Sequence, residues 1–537
     1  MSRTILVLWV STLSGCHNGS GEDSATYRGE APEFEAQNPS NRRLTEDQYR
    51  NTIASLFGPG LALPTKLDPV DPVEGLEAVG ASLSTFSPLG VERFEEAAHQ
   101  VAEQLIADPE LYEEVISCDS GEGFSSTCVR DSIAALGLEA WRRPLAEEEL
   151  DVLVEIGEQA QAVLSEFDSG MQYVLAALLL SPHFLYRVEL GEEDPAGGWR
   201  YTSWEMASRL SYFLWNTMPD TSLFEAAETG DLLTEEGVAE QVDRMLEDPR
   251  ARDGARAFFT DIYDLDLLDE MTKDPLIFRH MSDDLGASAR EETLAGLERI
   301  VFDEDTDFSE ILRTRDIWID RRLAAIYGVP APSMDGFGWT TLPVDGGRRG
   351  LLGQVSFLAL YAHPVSSSVT LRGIFVRERL LCQIIPDPPA DVNTAIPEAS
   401  SDQPTMRERV ERHLSDPACA NCHEITDYIG LGLENFDGIA RWRTRDNDVV
   451  IDASGQLDGV NFSDAWDLTG IVADHSDLAP CLAEHAYRYA MGRNLTYGES
   501  DLVDWHIQGF GEEQKRVLFL MRDISTSPAF RQMAAPE

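Results

Sequence analysis

The chain has 537 residues, 43% of them hydrophobic, a length that calls for roughly two to four cores because single cores stop growing at about 250 to 300 residues. Its 95 acidic residues against 42 basic ones give a formal charge of -53, which excludes a partner recognised through a phosphate backbone, since such binding rests on lysine and arginine. Nucleic acid is therefore not an expected partner.

The first sixteen residues, "MSRTILVLWVSTLSGC", place Arg3 before an apolar run from Ile5 to Val10 and end on Leu13-Ser14-Gly15-Cys16. That is the form of a secretory signal, and it is too short to span a bilayer. The closing tetrad resembles the bacterial lipobox, so the sequence predicts a leader over 1–16 with Cys16 as a lipidated first residue. A cleaved signal with an incidental cysteine is the alternative. The expected location is exported and lipid-anchored to a bacterial membrane, in the periplasm or at the cell surface. Residues 17–41 are polar without apolar periodicity and predict a flexible tether.

From residue 42 onward the period is helical. "RRLTEDQYRNTIASLFG" offers Thr45 and Gln48 as a capping box, then Tyr49, Ile53, Leu56 and Phe57 on one face, with Gly58 as a stop. "SPLGVERFEEAAHQVAEQLIADP" enters a helix at Ser87 and Pro88 and lines Phe94, Ala98, Val101 and Leu105 along one stripe. "YTSWEMASRLSYFLWNTMPD" repeats the capping device with Thr202 and Glu205 and stops by Pro219. Strand-like alternation is confined to short pieces such as "DVVIDASGQL". The predicted class is mainly α, a multi-domain helical protein with its cysteine motif in the C-terminal part.

Proline, glycine and polar residues gather at 328–350 and 386–405. These connectors predict an N-terminal helical domain over 42–140, a central one over 141–327, a helical segment over 348–385 and a C-terminal region over 406–537. No repeat of 20 to 50 residues is present.

Seven cysteines are present. In an exported chain, Cys118 and Cys128 bracket a polar loop and predict a local disulfide; Cys382 and Cys481 either form a second or stand as two buried thiols. Cys419 and Cys422, followed at once by His423, make CxxCH, the attachment pattern of c-type haem. Two thiols spaced in this way add to the haem vinyl groups, and the adjacent imidazole is held beneath the iron as proximal ligand. Zinc would need further ligands, and no second CxxC or Cys/His pair lies nearby. A thioredoxin-like dithiol would sit in a βαβ setting that these helical surroundings do not supply. "HEITD" misses the zincin HExxH because Asp427 stands where the second histidine should be. A vicinal disulfide is the remaining alternative.

A distal ligand would decide whether an iron carries electrons or admits a small molecule. Two candidates stand in the sequence, His363 in a loop before Pro364 and Met491 in "YAMGRN", and an open or otherwise filled position is the third possibility. The bland readings are a hydrogen-bonded loop histidine and a methionine filling a helix core. "LGLENFDGIARWR" offers Leu433 and Phe436 as apolar cover and Arg441 and Arg443 for propionates, or an ordinary core turn with solvent-facing arginines.

Three stretches carry a family resemblance: "RRGLLGQVSFLALYAHPVSSSVTLRGIFVRERLLCQIIPDPP", "RVERHLSDPACANCHEITDYIGLGLENFDGIARWR" and "YRYAMGRNLTYGESD". With "AWRRPLAEEEL" and "LLLSPHFLYRVE" upstream, they resemble the multi-domain planctomycete and myxobacterial cytochrome-like exported proteins built of consecutive domains of unknown function. Where that family usually has Asp-Pro before a glycine, this chain reads Asp427-Tyr428-Ile429-Gly430. The resemblance implies a helical exported protein with a cytochrome c-like portion over 406–537, and it implies no substrate. The sequence contains no GxSxG elbow, P-loop or dinucleotide fingerprint. The expected function is a membrane-tethered c-type cytochrome with one haem, passing single electrons to or from another exported redox protein. The alternatives are a surface binding or assembly lipoprotein, polysaccharide-related, with a structural CxxCH, and a haem peroxidase-like enzyme.

Overall fold

The helical periodicity becomes 24 α-helices among the described residues, while no strand exceeds four residues, so the chain is mainly α. A computed structural model describes residues 29–38, 41–116, 118, 123–386, 399–400, 402–414 and 417–535; of the side chains from 412 to 422, only that of Ala420 is described. The expected leader, Cys16 and most of the tether lie outside these residues.

The predicted helix starts depend on local chemistry, and they form as expected. The Thr45 hydroxyl accepts from the Gln48 amide at 3.3 Å while Gln48 Oε1 accepts from the Thr45 amide at 3.4 Å, opening the helix Glu46–Phe57, which ends at Gly58 with φ 87°. Ser87 Oγ accepts from Gly90 N at 2.9 Å ahead of Pro88–Ala107. Thr202 and Glu205 form a second box, at 3.2 and 2.8 Å, before Ser203–Leu214. That third helix stops at Leu214, short of Pro219. Gly254 of the helix Arg250–Ile262 presses on the Leu214 carbonyl, where any Cβ would collide. Trp215 Nε1 then donates to Met245 O at 3.0 Å, and Asn216 turns the chain with φ 55°.

Among the described residues, two large cores and one small one result. The first gathers Leu44 to Leu185 with Tyr212, and in it Tyr49 meets Phe94 and Phe184 edge-on at 5.0 and 5.6 Å. The second runs from Leu76 to Met533. The third is Val369, Met406, Val410 and Leu431. Core boundaries therefore do not follow the connectors. The first connector supplies Gly338–Thr341, paired antiparallel with Asp316–Ile319, with Trp318 opposite Trp339. The strand Gln532–Met533 pairs with Trp199–Arg200. The C-terminal helices Leu478–Met491 and Val517–Thr526 bury their apolar faces in the core that the central helices use. An amphipathic helix must cover its stripe with something, and here central and C-terminal helices cover each other. Ala31–Glu537 forms one compact unit.

Both disulfides are present: Cys118 bonds Cys128 at 2.07 Å and Cys382 bonds Cys481 at 2.09 Å. No helix among the described residues is long and apolar enough to cross a membrane.

Candidate functional site

The CxxCH motif lies in the first turns of the helix Pro417–Leu431, with proline at its first position, where the missing N–H costs nothing. This helix crosses the helix Val369–Phe375 at close quarters. Gly430 faces the Val369 carbonyl and Gly373 faces the Thr426 carbonyl, and a Cβ on either glycine would strike backbone. The approach brings Thr370 Oγ1 to 2.8 Å from Asp427 Oδ1, and Thr426 Oγ1 lies 3.2 Å from the same oxygen. The Asp427 side chain has no solvent exposure.

His423 stands one turn before Asp427 on the same face, and its Nδ1 lies 2.7 Å from Asp427 Oδ2. The carboxylate can only accept, so Nδ1 carries the proton and ligation falls to Nε2. The hydrogen bond to Asp427 raises the imidazole pKa above its usual value, against the opposing effect of burial. A histidine oriented by a buried carboxylate is the arrangement that holds a metal ligand in one tautomer and raises its basicity. The donor set thus fits an iron ligand at His423. The side chains of Cys419 and Cys422 fall outside the described set.

The two distal candidates have different surroundings. Met491 is buried, and its sulfur lies 3.7 Å from Nη2 of Arg209, which is itself paired with Glu189 at 2.8 Å. A thioether occupied by a guanidinium is a poor iron ligand, and the core-filling reading of Met491 describes its surroundings. His363 is exposed on the loop that leads into Val369–Phe375. Lys273 Nζ donates to the His363 carbonyl at 3.3 Å, and partial burial together with that charge holds the imidazole pKa below its usual value.

In the loop after the helix, one of the two arginines considered for propionates is already engaged. Arg443 donates to Glu434 at 2.7 Å and to Asp446 at 3.1 Å, so its charge is already matched. Leu433 and Phe436 belong to the large core, with Phe436 edge-on to Trp442 at 5.1 Å and beneath the Arg348 guanidinium at 4.5 Å. The loop is organised by Arg372, which is fully buried and donates to the carbonyls of Leu433, Phe436, Leu358 and Asp437 at 3.0, 2.9, 3.0 and 2.7 Å. "LGLENFDGIARWR" is therefore a core turn. Arg441 is exposed.

Sequence reasoning missed two residues. Asp427 was visible as the fifth residue of "HEITD", but its role is to accept from the first residue rather than to replace a missing ligand. His485 lies beside the second disulfide, its Nε2 3.4 Å from Cys382 Sγ, with Nδ1 buried and unpartnered and a pKa depressed to about 3 by burial. No short motif contains it, because Cys382 comes from a distant segment.

Five family models match the chain in order. They are Protein of unknown function (DUF1587) at residues 42–107, DUF1595 at 128–189, DUF1592 at 201–329, DUF1588 at 348–446 and DUF1585 at 458–530. The chain is thus built of consecutive domains of unknown function, and the CxxCH helix falls in the DUF1588 segment. No curated protein and no solved structure matches.

Proposed function

We propose that the chain is an exported c-type cytochrome, tethered through lipid on Cys16, that passes single electrons to or from another exported redox protein. Cys419 and Cys422 attach one haem and His423 is its proximal ligand. The observation that carries this reading is the 2.7 Å hydrogen bond from His423 Nδ1 to the wholly buried Asp427. It fixes ring and tautomer in the motif whose spacing suits thioether attachment. Haem held there supplies a one-electron iron couple. The chain's own work is to present Nε2, to keep Asp427 dry and to hold the helix rigid through the glycine crossing with Val369–Phe375.

The same carboxylate supports the second reading, a peroxidase-like enzyme, because an acceptor on Nδ1 makes the imidazole a stronger donor to iron. A visible spectrum of the purified exported protein, reduced against oxidised and then titrated with cyanide, separates the two. The electron-transfer reading expects haem bands that reduction sharpens and cyanide leaves unmoved. Bands shifted by cyanide favour the enzyme. Absence of bands from protein matured alongside a working cytochrome c assembly system returns the chain to the binding-lipoprotein alternative.

A further inference from the structure

Far along the chain from the cysteine motif, between the segments matched by the second and third family models, lies a cavity of about 380 Å³. Its walls come from three places: the turn Trp141–Arg143, the strip from His183 to Gly191, and the first turns of the helix Ser203–Leu214. Arginines are the minority charge in this acidic chain, 42 Lys and Arg against 95 Asp and Glu, yet two of the three arginines in this wall, Arg142 and Arg187, make no ion pair with a carboxylate among the described residues.

Arg187 is only 8% exposed. Its Nε is buried without a partner, and among the described residues its guanidinium makes no hydrogen bond or ion pair with protein, only a face contact with Tyr212 at 5.2 Å. The nearby carboxylate, Glu189, is shared: it pairs with Arg209 at 2.8 Å, lies 3.7 Å from Arg42 and also acts at longer range on Arg187, so one buried acid faces three buried arginines. Arg142, 3% exposed, donates to the carbonyls of Ala140, His183, Phe184 and Tyr186 and to the Tyr212 hydroxyl, and meets no carboxylate. Arg143 is matched by Glu149 at 2.7 Å. Glu205, the acid in the wall, accepts from the amides of Leu190, Gly191 and Thr202 at 2.6, 3.0 and 2.8 Å. Its oxygens serve the backbone. An uncompensated buried charge costs several kcal/mol, and it is tolerable where a ligand of opposite charge repays the desolvation.

We infer that this cavity binds a small organic carboxylate, with Arg187 taking the oxyanion and the indoles of Trp141 and Trp204 flanking a ring. Two indoles on the wall favour a ligand with a flat or partly apolar body over a bare inorganic anion. A ring of one sugar or one arene suits the volume. A hexuronate and an aromatic carboxylate share the required chemistry. This inference does not depend on haem.

The test is calorimetric titration of the whole exported protein with glucuronate, benzoate, glucose and benzyl alcohol. At least one carboxylate is expected to bind, its neutral counterpart at least tenfold more weakly, and which carboxylate binds tells sugar acid from arene. Arg187→Met should weaken binding about tenfold to a hundredfold while leaving the melting temperature of the free protein unchanged or higher, because it removes an unmatched buried charge. A purely structural arginine would show the reverse, a lower melting temperature. Trp204→Leu should weaken the ring-bearing carboxylates and leave Arg187 in place, which serves as the second variant if the first does not fold. Equal binding of charged and neutral ligands, wild-type affinity in Arg187→Met, or no binding of either carboxylate by the wild type would overturn the inference.

Discussion

Replacing Asp427 with asparagine removes one charge and leaves the shape of the site almost unchanged. In the wild type the carboxylate accepts from His423 Nδ1 at 2.7 Å and from the hydroxyls of Thr370 and Thr426 at 2.8 and 3.2 Å. An asparagine can keep the two threonine donors on its oxygen only by turning its NH2 toward His423. Nδ1 must then accept, and the proton moves to Nε2, the atom needed for ligation. A charge-assisted hydrogen bond contributes about 1.5 to 3 kcal/mol, so Asp427→Asn should lose roughly that much in urea unfolding of protein made without haem attachment. The loss should depend on pH. Asp427 raises the His423 pKa in the folded state, so the added stability is fully present below about pH 6.5, the unfolded value. It fades as pH rises through the folded value. The gap between wild type and variant should therefore be wider at pH 5.5 than at pH 8.5. A gap of the same size at both would refute the claim that the pair holds a proton on the imidazole.

Other expectations follow from the same geometry. The Cys118–Cys128 bridge spans a sequence separation of 10, so replacing both with alanine should lower stability by about 2 to 3 kcal/mol, measured by denaturant unfolding with and without reductant. Arg372→Met should cost about 3 to 5 kcal/mol, because four carbonyls lose their donor and Glu434, 3.8 Å away, loses a neighbouring cation; a thermal melt close to wild type would contradict the organising role given to it. Mass spectrometry of the N-terminal peptide should find diacylglyceryl on Cys16, and an intact Met1 would remove the tether.

What was legible in the sequence was local. Thr45 with Gln48 and Thr202 with Glu205 make their capping bonds within four residues, so no tertiary contact was needed to foresee them. Cys118 and Cys128 were legible for the same reason. Cys382 and Cys481 are 99 residues apart, and parity alone could not decide between a bond and two thiols. The helix over Ser203–Leu214 ends where Gly254, a residue on another helix that local periodicity cannot see, packs against the Leu214 carbonyl. Arg443 read as a solvent-facing or propionate-facing arginine until its partners Glu434 and Asp446 came into place. The basic cavity was invisible, because Trp141, Arg187 and Trp204 belong to different segments and an arginine without a partner is recognised only once its neighbours are known.

The central claim is covalent haem on Cys419 and Cys422. Its most direct test is the mass of the tryptic peptide that carries these residues and His423, taken from protein matured alongside a working cytochrome c assembly system and denatured before digestion. Thioether bonds survive denaturation, so that peptide should be heavier by one haem, with both thiols consumed. A peptide at its unmodified mass, or lighter by the two hydrogens of a Cys419–Cys422 disulfide, would contradict it.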